Sequence, residues 1–318
     1  MIEPILPAIV DRLRAIGTLE AATVEDVTIG DAAVMVELGG VRARPGANAR
    51  AATGSEGTRG SQSTAGLAHR PSGPTRPADD LDVDTLVGWA TRTSRESPID
   101  AKGRSGEAGD GAASADGLLE NALGVAAINA LSAPSIDWQT GDPMALLDPS
   151  VDTIATVGLF RPAFRKFDDV DVRVIERADV GSVTAPEGVR VATFRPDAAS
   201  EAMAGADVVF VTGSTFVYGG LERYLAAAPA AATVVLIGAT ASVLPDPVFD
   251  AGVDVVAGAS VADRVRVREA VARGACGTDL HDAGVRKVYV AADRSTDPSQ
   301  GLTHTRSGGS NRDETTDD

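Results

Sequence analysis

The stretch Val211-Thr212-Gly213-Ser214-Thr215-Phe216-Val217-Tyr218-Gly219-Gly220 is the part of this chain best suited to chemistry. An apolar strand ends there, hydroxyls and a glycine turn the chain, and a helix is expected to begin. Backbone N–H groups at such a turn, with the Ser214 and Thr215 hydroxyls, can donate to an anion. The same residue types also cap a helix with no ligand involved, and both readings stand. Gly238-Ala239-Thr240 repeats the pattern in weaker form after a later strand.

Two other strand ends carry suitable residues. Gly158-Leu159-Phe160-Arg161-Pro162 pairs a glycine, which lets a ligand approach the backbone, with an arginine that could face an anion. Glu176 closes the next strand eighteen residues after Gly158, close to the spacing at which dinucleotide-binding folds set an acid on a ribose hydroxyl. An ordinary strand exit and a surface ion pair with Arg173 or Arg177 are the plain alternatives. No G-x-G-x-x-G fingerprint is present. The candidate lining from these strand ends is Gly158, Phe160, Arg161, Glu176, Thr212, Gly213, Ser214, Thr215, Tyr218 and Gly238.

Other chemistries lack their residues. His69, His281 and His304 are far apart in sequence and Cys276 is the single cysteine, so no Cys/His metal cluster follows from spacing. Asp79-Asp80-Leu81-Asp82-Val83-Asp84 lacks the glycine and distal glutamate of a calcium loop and reads as acids at a helix start. There is no G-x-S-x-G elbow and no paired nucleophile and base, so no catalytic residue or cofactor is assigned.

The elements that must position the strand ends follow from periodicity. Apolar strands are expected at 153–159, 172–176, 189–193, 208–212, 234–237 and 253–257, with helices at 198–203, 220–227, 247–251 and 262–273 and a last strand at 285–290. Short apolar strands alternating with helices make a parallel sheet covered on both faces. In such sheets ligands bind beyond the carboxyl ends of the strands.

Ahead of this lie a helix over 3–16, strands at 22–29, 33–38 and 64–69, and helices at 82–93 and 118–131. The last carries small residues, Gly124, Ala126, Ala127 and Ala130, on a face that can pack closely. The domain layout expected is an α+β domain over 1–131, a linker over 132–149, an α/β domain over 150–290 and a disordered tail over 291–318. Polar, Gly- and Ser-rich insertions at about 44–63 and 97–116 have no apolar periodicity and are expected to be disordered.

The net charge of −16, with 29 Lys and Arg against 45 Asp and Glu, disfavours nucleic acid as a partner. The lysines number three, and a high-salt cytoplasm would suit both that scarcity and the acidity, which reads as solubility. No apolar run approaches the roughly 20 residues of a spanning helix, and the first residues show no secretory pattern, so no membrane partner and a cytoplasmic location are expected. Self-association stays open.

Several stretches resemble the putative heavy-metal chelation family (domain of unknown function 364) together with an enolase-N-like companion domain. They are Gly66-Leu67-Ala68-His69, the run from Gly124 to Leu131, Val157-Gly158-Leu159-Phe160, Ile175-Glu176-Arg177, Thr212-Gly213-Ser214-Thr215 and the run from Gly252 to Gly258. The resemblance implies an α/β fold: a Rossmann-like parallel-sheet domain preceded by a smaller α+β enolase-N-like domain. It also implies a ligand cleft between the two, lined by Asn129, Glu176 and residues 212–215. The family has Asn-Gly-Thr where this chain has Tyr218-Gly219-Gly220, so an amide and a hydroxyl are missing at the start of that helix. The function expected is binding of a small anionic or heteroaromatic ligand, a metal complex included, in the interdomain cleft. An enzyme using a nucleotide-like or heteroaromatic cofactor at the same strand ends, and a non-catalytic scaffold, are the alternatives.

Overall fold

The computed structural model describes residues 2–43, 62–73, 81–96, 115–148, 150–160, 167, 169–178, 180–181 and 183–293. The larger sheet is built from runs such as Val208-Val209-Phe210-Val211, which are buried on both faces. Its parallel strands are β5 (Thr153–Val157), β6 (Asp171–Ile175), β7 (Arg190–Phe194), β8 (Val208–Thr212), β9 (Thr233–Ile237) and β10 (Val255–Val261). β11 (Val285–Ala291) runs antiparallel to β10, and the two-residue β4 (Gln139–Thr140) closes that edge. The spatial order is β4-β11-β10-β9-β8-β5-β6-β7. Counted from β5 as strand one, the six parallel strands lie in the order 3-2-1-4-5-6 of a doubly wound sheet. The chain therefore reverses its direction of winding between β5 and β8, where Val157 sits opposite Val211.

The smaller sheet is antiparallel: β1 (Thr23–Ile29), β2 (Ala33–Val41) and β3 (Gln62–His69), with β2 central. Three helices flank its inner side, α1 (Ile5–Ala15), α2 (Val83–Glu96) and α3 (Ala115–Ser132). α1 shows the expected pattern, with Ile5, Leu6, Ile9, Val10 and Leu13 buried. α3 is different, because every residue from Asn121 to Ser132 is buried. Its small residues allow this. A Cβ at Gly124 would lie 2.4 Å from the Leu86 carbonyl oxygen of α2, and one at Gly66 of β3 would lie 2.1 Å from the Ala126 carbonyl oxygen of α3. Backbone thus meets backbone on both sides of α3.

One hydrophobic core runs from α1, β2 and α3 into one face of the larger sheet, uniting Leu13, Val36, Ile128, Val157, Val211 and Leu236. The opposite face of that sheet holds a second core around Ile154, Phe167, Val174 and Phe210. The outer face of the small sheet, with Met35 and Leu67, packs on α8 (Arg264–Ala272) and α9 (Thr278–Ala283). Beside it the buried Glu37 of β2 pairs with Arg268 at 3.1 Å and Arg264 at 3.5 Å. Burial pushes the Glu37 carboxyl up, against the pull of the two arginines.

The remaining short helices are α4 (Ala199–Met203), α5 (Ser214–Tyr218), α6 (Leu221–Ala227) and α7 (Asp246–Asp250). Several boundaries differ from expectation. The strand expected over 153–159 ends at Val157, because Gly158 turns with φ +87. β10 extends to Val261 because β11 pairs with it along its whole length. Gln62 and Ser63, expected in the first insertion, belong to β3, where Gln62 pairs with Val41; ladder hydrogen bonds need no apolar side chain. Ala115 and Asp116, at the end of the second, begin α3. The rest of both insertions, and the tail after residue 293, lie outside the described residues. Within 132–149, residues 133–135 and 143–146 form 3-10 turns on either side of β4.

Two glycines in the helical layer should respond in opposite directions. Gly124→Ala forces a methyl onto the α2 backbone and is expected to destabilise by about 1–3 kcal/mol. Gly88→Ala, inside α2 with nothing near its Cβ position, is expected to stabilise by about 0.5–1 kcal/mol. Urea denaturation of the two variants checks both signs.

Candidate functional site

The carboxyl ends of β5, β6, β8 and β9 open onto one crevice of about 420 Å³. It lies at the switch point between β5 and β8, where doubly wound sheets leave a gap between diverging connections. Gly158, Leu159 and Phe160 reach it from β5, Glu176 and Arg177 from β6, residues 212–215 and Tyr218 from β8 and α5, and Gly238 and Thr240 from β9. His69, the last residue of β3, comes from the small sheet.

Each strand end is set by local constraints. Gly158 donates its N–H to the Ile175 carbonyl at 3.0 Å, and a Cβ there would stand 2.6 Å from the Thr212 hydroxyl. Glycine therefore lets the β5 exit lie against β8. Glu176 accepts the Leu159 N–H at 2.7 Å through one carboxylate oxygen, which ties the exits of β5 and β6 together. Phe160 turns back to the sheet, its ring 5.2 Å from that of Phe210. Gly238 takes φ +113, a conformation closed to most side chains, and its carbonyl accepts the Ala241 N–H at 2.8 Å to close the 239–241 turn.

The Thr212–Thr215 turn is more self-contained than its sequence suggests. The Gly213 N–H, one of the backbone donors of the turn, donates to the Ile237 carbonyl at 2.8 Å and prolongs the β8–β9 ladder. A Cβ at Gly213 would meet the Ala241 nitrogen at 2.5 Å, so this glycine serves the packing of two turns. The buried Thr215 hydroxyl donates to the Thr212 carbonyl at 2.9 Å and so spends its hydrogen within the turn. Thr212 and Ser214 share a 2.8 Å hydroxyl–hydroxyl bond. In such a pair one hydroxyl donates to the other, and the second hydrogen remains available to the crevice. α5 is only five residues long, which limits any help from its dipole.

Asn129 stands apart from the other expected lining residues. Its side chain is buried and its Nδ2 donates to the Leu67 carbonyl at 2.8 Å, with the Thr240 and Ala239 carbonyls at 3.2 and 3.3 Å. It is a strut between β3 and the 239–241 turn rather than a wall of the crevice. Asn121, one further buried amide on α3, holds the Phe216 and Val217 carbonyls of α5 at 3.0 and 2.7 Å. Arg161 lies outside the described residues.

His69, Arg177 and Thr240 also line the crevice, although the expected lining did not include them. His69 donates its backbone N–H to the Thr240 hydroxyl at 2.9 Å, and its Nε2 lies 3.2 Å from the Tyr218 hydroxyl. The Arg177 guanidinium stands 3.5 Å above the centre of the Tyr218 ring. Crowding by the protein, and after it the positive charge of Arg177, hold the His69 imidazole below its usual pKa. The one sequence signal for this cluster is that His69 and Arg177 each stand at or next to a strand end.

A larger groove of about 860 Å³ lies between α1 and α7, with Glu3, Asp11, Arg12, Asp246 and Asp250 in its walls. It gathers no strand ends, and its Arg12–Asp246 pair at 3.6 Å is half in solvent. The switch-point crevice is the better site despite its smaller size, because four strand ends and a sheet from elsewhere in the chain converge on it.

Comparison with known proteins relates part of the chain to a described family. Residues 143–291 match the model of the family described as putative heavy-metal chelation, DUF364. A DUF364 protein of unknown function from Pyrococcus horikoshii superposes with a TM-score of 0.64 at 18% identity, covering 91% of this chain and all of its own. Another DUF364 protein of unknown function, from Desulfitobacterium hafniense DCB-2, gives 0.59 at 17% identity, covering 90% of this chain and all of its own. At such identity the likeness concerns the fold. No curated protein matches the chain.

The family description raises the question of metal. Among the described residues no three His, Cys, Asp or Glu side chains come together as ligands. Cys276 is exposed and far from the crevice in sequence and lining. The described residues do not make a site for a soft metal held by protein donors alone.

Two outcomes follow. Asn129→Ala leaves buried carbonyls of Leu67 and Thr240 without their donor and is expected to cost about 1–3 kcal/mol in chemical denaturation. The His69 ring should titrate below 6.5 in an NMR pH series, and Arg177→Gln should move that midpoint upward. Since the folded protein takes up this proton less readily than the unfolded chain, the stability His69 contributes at neutral pH is lost as pH falls below 6.5.

Proposed function

We propose, on the premise that residues 143–291 are a domain of the putative heavy-metal chelation family, that this protein binds a small organic ligand in the switch-point crevice. The observation that carries the reading is the convergence of four parallel strand ends and His69 on one crevice of about 420 Å³. Mobile backbone is a poor receptor, and here Glu176, Gly158 and Gly213 lock the exits of β5, β6, β8 and β9 to one another. The polar groups left facing the space are the second Glu176 oxygen, the Thr212–Ser214 hydroxyl pair and the Arg177 guanidinium. Phe160, Leu159 and Ile237 supply apolar wall. Few polar groups fixed within a partly apolar crevice are what orient a small heteroaromatic or acidic molecule. A metal, where one is carried, would enter as part of such a molecule, whose own donors complete its coordination.

The second reading is an enzyme holding a nucleotide-like cofactor at the same place. It draws on Glu176, which closes the second strand of a 3-2-1-4-5-6 sheet, the position from which an acid reaches a ribose. One of its oxygens is already occupied by the Leu159 N–H, which leaves one for a hydroxyl.

Native mass spectrometry of freshly purified protein tests the first reading. A ligand of a few hundred daltons is expected to copurify, and Ser214→Tyr, which fills the crevice, should release it while the melting temperature is retained. Recovery of a nucleotide would favour the second reading. An empty protein that also fails to bind any member of a metabolite panel would leave a scaffold.

A further inference from the structure

Tyr218 carries two neighbours from different parts of the fold. Its hydroxyl meets His69 Nε2 at 3.2 Å, and its ring face bears the Arg177 guanidinium at 3.5 Å. The His69 and Tyr218 rings lie 5.7 Å apart and tilted, so the ring is held from its edge as well as its face. All three side chains line the crevice.

Arg177 is unusual in its company. The chain has 45 acidic residues against 29 basic ones, and most arginines of the described structure find a carboxylate or a carbonyl. No carboxylate of the described residues lies within ion-pairing distance of Arg177. Its contact is instead the face of a ring, an arrangement that fixes the plane of the guanidinium while its N–H edges stay unspent. A guanidinium so placed offers parallel N–H donors to two oxygens of one oxyanion. The nearby Thr212–Ser214 pair has a hydroxyl hydrogen to add.

We infer that the crevice recognises its ligand by an oxyanion arm, phosphate or carboxylate, gripped at the mouth by Arg177 on its Tyr218 shelf. The inference rests on the crevice being a ligand site and adds the chemical class of what it takes. Glu176 stands beside this grip and repels an anion placed deeper, so the arm is held at the mouth and the remainder of the molecule lies inward, against Leu159 and Phe160. Tyr218 is here a positioning residue: it touches Arg177 and sets the plane of the fork.

The test uses the full chain with inorganic phosphate and succinate as separate probes, at constant ionic strength maintained with chloride. Binding is followed by NMR of the His69 ring and by calorimetry. Saturable binding of one or both probes is expected, with the His69 midpoint shifted upward by the bound negative charge. The probe that binds more tightly identifies the arm as phosphate or carboxylate. Arg177→Gln should weaken binding at least about tenfold. Tyr218→Leu, which removes the shelf, should weaken it several-fold, and Tyr218→Phe, which keeps the ring and loses only the bond to His69, should not. Absence of saturable binding by both probes would overturn the inference, as would equal binding to wild type and Arg177→Gln, or equal losses in Tyr218→Leu and Tyr218→Phe. If a copurified ligand without an acidic group leaves with Ser214→Tyr while both probes fail, the oxyanion grip is wrong and the crevice stands. If Ser214→Tyr releases nothing and phosphate still binds through Arg177, the grip stands and the crevice reading fails.

Discussion

The structure turns on the amide of Asn129. One buried side chain on α3 binds the Leu67 carbonyl of β3 and reaches the Thr240 carbonyl of the turn after β9. Asn121, two turns earlier on the same helix, does the same for the end of α5. Burying an amide NH2 is unfavourable unless its hydrogens find acceptors, and both asparagines spend theirs on backbone carbonyls while their buried Oδ1 atoms take no hydrogen bond. The two asparagines therefore specify where the small sheet, α3 and two of the crevice turns stand relative to one another. Apolar contact alone, being non-directional, would fix their separation without fixing their register.

From that constraint the crevice follows. The 239–241 turn is held from below by Asn129, from the side by the His69 N–H on Thr240, and against Gly213 by a contact that leaves no room for a Cβ. Close approach of the helical layer is needed for any of this, and it is supplied by Gly66 and Gly124, where α3 meets β3 and α2 backbone to backbone. The small sheet thus contributes more than a neighbouring surface. Its last residue, His69, stands in the wall of a site whose other walls are strand ends of the large sheet.

Much of the frame was legible in the sequence because it is written in periodicity. The apolar runs at β8 and β9 can only be buried strands, and the Gly- and Ala-rich face of α3 announces a close contact, though not with which elements. Gly158, Glu176 and Thr212 could be placed on one edge from sheet geometry alone. What could not be read were contacts made by topology. His69 finds Tyr218 149 residues away, and as an isolated histidine it offered no motif. Asn129 as a strut and Asn129 as a ligand contact have the same sequence, and only the position of Leu67 and Thr240 separates them. The Gly213 N–H reads as free until β9 is known to run beside it. α9, six mostly polar residues, and the two-residue β4 lack the length for any period to register.

The family description and the donor chemistry of this chain meet in one way. Soft transition metals are held by thiolates and imidazoles brought together, and the single cysteine here, Cys276, is exposed and outside the crevice lining. The crevice offers a carboxylate, hydroxyls, one imidazole and a guanidinium, which suit hydrogen bonding to an organic molecule. A guanidinium never gives up its proton and cannot ligate a cation; placed at the mouth, it works against a bare metal ion and in favour of an anionic chelate. On the proposed reading, any part this protein plays in handling metal passes through recognition of a chelating molecule, with selectivity residing in the shape and charge of that molecule.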